Sequence, residues 1–134
     1  MATFHLQIVT PDGLAFDGQA DALIVRTIDG ETGILANHID YVTALGMGDA
    51  RVYVDRDIRH AACIGGMLAV TNGEVKLVAT TFEWADQIDV PRADASHRRA
   101  KEIIDHRDQH TDQEIQLAEA RLKRALVRKG VAKS

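Results

Sequence analysis

An N-terminal antiparallel β-sandwich or barrel followed by a C-terminal antiparallel two-helix hairpin is the fold this sequence predicts. Three observations predict it. Apolar residues alternate with polar ones between turn residues up to about residue 84, and a helical period replaces that alternation beyond it. Nine of the ten glycines lie at or before Gly73, the tenth being Gly130. Charge divides at the same place: residues 1–84 carry a net −6 and residues 85–134 a net +2, within a chain total of −4. The expected organisation is a β domain over 1–84 and a helical hairpin over 85–134. A chain of 134 residues is long enough for one core plus such an appendage. With aromatics at 4%, that core must be aliphatic.

Phe4, Leu6 and Ile8 alternate with His5 and Gln7, the pattern of a half-buried strand. Pro11-Asp12-Gly13 supplies a turn. Residues 22–28 are rich in Leu, Ile, Val and Thr, and Asp29-Gly30-Glu31-Thr32-Gly33 is expected to break that strand. Val52 and Val54 flank Tyr53, and Ile58, His60, Ala62 and Ile64 alternate with Arg59, Ala61 and Cys63. Residues 67–71 and 75–81 flank Asn72-Gly73, where both residues accept the positive φ of a type I′ hairpin turn.

In the second module, Pro91 fits only near a helix start, and Asp89 just before it can cap. Ala93, Ala100, Ile103, Ile104 and Arg107 recur at helical spacing, and residues 106–112 are a polar interruption. Ile115, Ala118, Leu122, Ala125 and Leu126 form a second stripe ending near Gly130, which fits a C-cap. Two helices of about 16–18 residues with a short connection should lie antiparallel. Alanine in both stripes permits close approach but buries little area, so the hairpin needs a partner surface and is expected to be mobile.

Composition excludes several classes. A net charge of −4 and a pI near 5.8 argue against a dedicated nucleic-acid binder. The single Cys63 rules out an intramolecular disulfide and a multi-cysteine zinc site, and its strand position reads as a small buried hydrophobe. The longest uncharged run of apolar residues and glycine, residues 61–70, is half a membrane span. The N-terminus has no basic segment followed by an apolar one, so a cytoplasmic location is expected. Phosphate-loop, dinucleotide-loop and nucleophile-elbow motifs are absent. His106 and His110, four apart, would share a helix face and could bind a metal, but no third ligand is evident and no metal site is assigned.

The arginines carry more information. Arg92 and Arg99 are seven apart and share a face of the first helix; Arg124 and Arg128 are four apart and share a face of the second. If those faces meet, four guanidinium groups converge in a way that suits a polyanion, because guanidinium forks grip phosphate bidentately. If they do not meet, they are two solvated basic faces.

Three stretches resemble the epsilon subunit family of the rotary, F-type ATP synthase. They are Gly30-Glu31-Thr32-Gly33-Ile34-Leu35 followed by His38, then Gly65-Gly66-Met67-Leu68-Ala69-Val70 followed by Asn72-Gly73-Glu74-Val75, and Ile88-Asp89-Val90-Pro91-Arg92-Ala93. The last resembles a motif of the ATP-binding bacterial members. The sequence departs from the family at Ala36-Asn37 before His38 and Ile39-Asp40 after it, where prolines are usual. The resemblance implies a non-catalytic central-stalk subunit of a proton-translocating synthase, peripheral at the cytoplasmic face of the bacterial cell membrane. Its sandwich would bind the gamma subunit and the c-ring, with Glu31 and His38 in the c-ring contact loop. Its hairpin would either lie compact or extend along gamma into the alpha/beta catalytic head and inhibit ATP hydrolysis. It also implies ATP as a regulatory ligand of the compact form, leaving Mg²⁺ open. Glu83 and Asp89 would face adenine and ribose, and Arg92, Arg99, Arg124 and Arg128 the phosphates. The alternative is a small β-sandwich enzyme with a helical dimerisation hairpin, against which stands the lack of any nucleophile–base pair.

Overall fold

The computed structural model describes residues 2–133 and places eight strands before two helices. The strands are β1 (Phe4–Thr10), β2 (Gly13–Ala20), β3 (Ala22–Thr27), β4 (Gly30–Leu35), β5 (Tyr41–Ala44), β6 (Met47–Val54), β7 (Asp57–Thr71) and β8 (Glu74–Trp84). The helices are α1 (Val90–Asp105) and α2 (Asp112–Ala132). The sheet order is β2-β1-β8-β7-β6-β3-β4, with β5 also paired to β7. Every pairing is antiparallel except that of β1 with β8. The two longest strands serve both layers of a sandwich. β7 pairs with β6 over residues 57–64 and with β5 over residues 67–70, while β8 pairs with β7 and, over residues 75–78, with β1.

This crossing depends on Gly65-Gly66. Before the glycines, Ala61 and Cys63 of β7 face the core; after them, Leu68 and Val70 do. The inward positions change from odd to even. β8 changes likewise, from Val75, Leu77 and Ala79 to Trp84. Side chains alternate strictly along an ordinary strand, so a change of parity needs a local rotation of the backbone. Both glycines supply it with positive φ, +72° at Gly65 and +121° at Gly66.

Two sequence expectations are corrected here. The residues expected to break the strand after residue 28 instead form β4, which pairs with β3 from Thr27↔Gly30 to Ala22↔Leu35. The turn is only Ile28-Asp29, fastened by Thr27, whose hydroxyl donates to the Gly30 carbonyl and accepts from the Asp29 amide. Glu31 and Thr32 look like turn residues because one face of this edge strand is in solvent. Residues 58–64 and 67–71 are likewise one fifteen-residue strand. Asn72 and Gly73 both take positive φ (+50° and +79°), as the type I′ reading requires.

On the outer face of β1, His5 ties three strands together. Its Nε2 lies 2.5 Å from Asp17 Oδ1 on β2, and its Nδ1 lies 2.7 Å from Glu74 Oε2 on β8. Both nitrogens can donate only in the imidazolium. The bonds to Asp17 and then Glu74 therefore raise the His5 pKa, and His5 lowers that of Asp17. A raised histidine contributes fully below its ordinary value of 6.5 and loses that contribution as pH rises through the folded value. A lowered Asp17 contributes above its ordinary 3.8 and fails only in stronger acid. His5→Gln should thus lower the melting temperature most between about pH 4 and 6.5, and least near pH 9. A melting difference independent of pH would contradict this.

α1 begins as expected. Asp89 accepts the Arg92 amide at 3.0 Å, and Pro91 lies in the first turn. α2 is capped by Thr111, whose hydroxyl accepts the Glu114 amide at 3.2 Å and donates to the Glu114 carboxylate. The helices meet through small residues: Ala93 and Ala100 of α1 and Ala118 and Ala125 of α2 are all buried. Leu126, expected in that seam, is instead exposed. Gly130 does not end α2, which continues to Ala132. The reason is Val131, which is buried with Ala62 of β7 and Ile88 in a small cluster against the sandwich. Burying a valine is worth about 1.5–3 kcal/mol, which exceeds the ~1 kcal/mol penalty of an interior helical glycine.

Candidate functional site

A cleft of about 550 Å³ opens between the two helices and the end of the sandwich. α1 lines it with Arg92, Ser96, Arg99 and Ile103, spaced at helical period, and α2 with Arg121, Arg124 and Arg128. Asp89 lines it from the start of α1 and Glu83 from β8. All six residues named from the sequence for a nucleotide lie on this one cleft. Arg121 and Ser96 were missed. The signal for both was present, since Arg121 is three before Arg124 and seven before Arg128, and Ser96 lies between Arg92 and Arg99 on their face.

The helices keep this arrangement by a second contact. Lys129 Nζ reaches Asp94 Oδ1 at 2.8 Å and His97 Nδ1 at 3.1 Å, which sets the antiparallel register. Chiefly through the bond from Lys129, the Asp94 pKa is lowered. Glu83 accepts from Arg128 Nε at 2.5 Å and so joins α2 to β8. Asp89 is occupied in capping α1. The guanidinium groups of Arg92, Arg99, Arg121 and Arg124 have no ion pair or hydrogen bond among the described residues. Five cations thus face two carboxylates, both already engaged. The cleft repels itself as it stands and would gain from an anion carrying several charges.

A second cavity of about 410 Å³ at the hairpin tip shares Arg99 and Ile103 with the cleft and adds His106 and His110. The two histidines do not share a helix face. His106 follows the end of α1 with Nδ1 2.9 Å from the Glu102 carbonyl, and His110 lies before α2 with Nδ1 2.8 Å from Glu114 Oε2. Chiefly through the His110 bond, the Glu114 pKa is lowered. The polar interruption is a short connection, residues 106–111, built around one 3₁₀ turn (Arg107–Gln109), after which Thr111 caps α2 and starts it afresh. No cluster of three or more His, Cys, Asp or Glu that could hold a metal occurs among the described residues. Cys63 is buried, which pushes its thiol up to about 12 and leaves it without thiolate character at neutral pH.

Glu31 and His38 do not form one loop. Glu31 lies within β4, paired with Arg51 of β6. His38 lies beyond the far end of that strand, against Tyr41 and with Nδ1 2.8 Å from the Ile39 carbonyl. Each has an exposed isoleucine close by in sequence, Ile28 and Ile39. A third surface feature crosses five strands. Leu14, Val9, Val78, Met67 and Ala44 are successive cross-strand partners on one outer face, with Leu14 61%, Met67 52% and Val78 45% exposed. Val9 and Ala44 are half-buried, so the row is a contiguous, partly exposed apolar stripe of the kind that marks interaction surfaces.

Residues 3–85 match the family model described as ATP synthase, Delta/Epsilon chain, beta-sandwich domain. The chain is 38% identical over 133 residues to the ATP synthase epsilon chain of Ruminococcus albus, covering 98% of each. It is 38% identical over 135 residues to that of Shouchella clausii, covering 99% of this chain and 97% of the relative. Its fold is shared by a chain of the Euglena gracilis mitochondrial ATP synthase assembly of OSCP, F1 and c-ring. That match has a TM-score of 0.84 at 20% identity, over 97% of this chain and 81% of the other.

Proposed function

Because the chain belongs to the family of ATP synthase epsilon chains, non-catalytic subunits of that enzyme's central stalk, we propose that its hairpin is a regulator of ATP hydrolysis, and that ATP binding in the arginine cleft holds the hairpin compact. The observation that carries this reading is the construction of the cleft. Its walls come from both helices and from Glu83 of the sandwich, so the complete site exists only with the hairpin docked. Its volume lies within the roughly 300–1,000 Å³ typical of small-molecule sites. Arg92, Arg99, Arg124 and Arg128 take the phosphates, and Glu83 and Asp89 lie toward the nucleoside. Since both carboxylates are engaged, Mg²⁺ would be held by the nucleotide rather than by the chain.

The energetics suit a switch. The hairpin is held to the sandwich by the small cluster of Val131, Ile88 and Ala62, with half-buried Val127, Ala132 and Ala85 against it, and by the Arg128–Glu83 pair. One buried valine, two half-buried small side chains and one partly exposed ion pair amount to only a few kcal/mol. A ligand at a hundredfold excess over its Kd adds about 2.7 kcal/mol to the state that binds it. Without ATP the hairpin extends along gamma toward the alpha/beta catalytic head and blocks hydrolysis. The apolar row from Leu14 to Ala44 is the surface for gamma. Glu31 and His38, at the two ends of β4, make a two-point contact with the c-ring. These contacts would keep the chain peripheral at the cytoplasmic face of the bacterial membrane, coupled to proton translocation; none of its described helices is long and apolar enough to cross that membrane.

Calorimetric titration of the 134-residue chain with ATP, and with ADP for comparison, tests the site. Saturable binding that prefers ATP is expected. Arg92→Ala and Arg124→Ala should each weaken it about tenfold or more, since a hydrogen bond to a charged group is worth ~1.5–3 kcal/mol. Equal affinity in wild type and both variants would remove these arginines from the site.

A further inference from the structure

We infer that Arg121 is the residue by which the cleft counts phosphates, contacting the terminal phosphate of a nucleoside triphosphate and out of reach of a diphosphate. This rests on the reading of the cleft as a nucleotide site and extends it to specificity. Arg121 lines the cleft with Arg124 and Arg128 but lies furthest along it. The helices are antiparallel and Lys129 meets Asp94 and His97, so α2 runs away from the sandwich as its numbering falls. Arg121 is seven residues before Arg128, about 10 Å nearer the hairpin tip at 1.5 Å per residue. That register sets Arg121 beside Ile103, one turn beyond Arg99.

Charge gives the cleft a direction. Both of its carboxylates, Glu83 and Asp89, are at the sandwich end; beyond the Arg121 end the next carboxylate, the exposed Glu102, lines the adjoining cavity rather than the cleft. Phosphates are driven from the acidic end toward the tip, and the nucleoside is left near Glu83 and Asp89. The first phosphates then meet Arg128, Arg92 and Arg124, and the last meets Arg99 and Arg121. Arg121 is also suited to wait for a ligand. It is exposed and has no ion pair or hydrogen bond among the described residues, so a phosphate displaces no existing partner.

The test is the binding of ATP and ADP to the full chain in wild type, Arg121→Ala and Arg124→Ala, each checked for unchanged thermal unfolding. Arg121→Ala should weaken ATP about tenfold or more and leave ADP unchanged, so the preference between them collapses. Arg124→Ala, in the middle of the cleft, should weaken both nucleotides. If Arg121→Ala weakens both equally or neither, the inference is overturned while the cleft remains a nucleotide site. If wild type binds neither nucleotide, the reading of the cleft falls and this inference with it.

Discussion

Gly66→Ala is expected to destabilise the chain by about 2–6 kcal/mol, the sum of ~1–3 for strained backbone and ~1–3 for overpacking. Two independent causes add at this position. Gly66 has φ +121°, a conformation that side-chain-bearing residues avoid. A Cβ there would also collide with the carbonyl oxygen of Val78 and press on the Cα of Ala79. These are backbone atoms of the paired strand, so no side chain can move aside. The site is also the hinge where β7 and β8 exchange their inward faces, so relaxation would disturb Leu68 and Leu77 on one side and Cys63 and Trp84 on the other. Gly73→Ala is the control. Gly73 has φ +79°, but nothing lies within 4 Å of where the added methyl would sit, and the variant should lose only the ~1 kcal/mol that the backbone conformation costs. Urea unfolding of the two variants measures the difference. Equal small losses would mean that β7 and β8 can part at this point without consequence.

The same pair of strands shows what could be read from the residues and what could not. Asn72-Gly73 is a local signal, because the turn is made by those two residues and nothing else. The Asp89 cap and Pro91 are equally local. The role of Gly65-Gly66 is different in kind: it comes from the partner strand pressing on Gly66, and only the register Gly66↔Ala79 reveals it. β4 was obscured for a related reason. Gly30, Glu31, Thr32 and Gly33 have turn-like composition, and only pairing with β3 makes a strand of them. Gly130 looked like a helix end because local propensity was the only visible term, whereas Val131 reaching Ala62, far away in sequence, decided the outcome. In the cleft, Arg92, Arg99, Arg124 and Arg128 were legible from spacing and resemblance together. Arg121 had the right spacing, but no family motif drew attention to it.

Removing residues 88–134 should change the assembled enzyme more than any single substitution in the hairpin. The sandwich core draws only on residues up to Trp84, so the truncated chain retains every member of that cluster and should fold and assemble. Of the docking cluster, only Ala62 and Ala85 would be newly uncovered. On the proposed reading the hairpin is the inhibitory element, so its removal should raise hydrolysis. The size of the rise reports the poise of the switch: a hairpin biased toward its extended state by about 1.4 kcal/mol holds roughly ten enzymes blocked for each one free, so truncation releases about tenfold. Arg124→Ala in the same assembly should act with the opposite sign. It leaves the hairpin in place and, on the proposed reading, weakens the ATP binding that would favour the compact form, so at high ATP hydrolysis should fall. Opposite signs from two changes to one hairpin are hard to obtain from a merely structural role, which would make both variants lose activity together. Unchanged hydrolysis after truncation would sink the inhibitory reading and leave the chain a coupling element of the stalk.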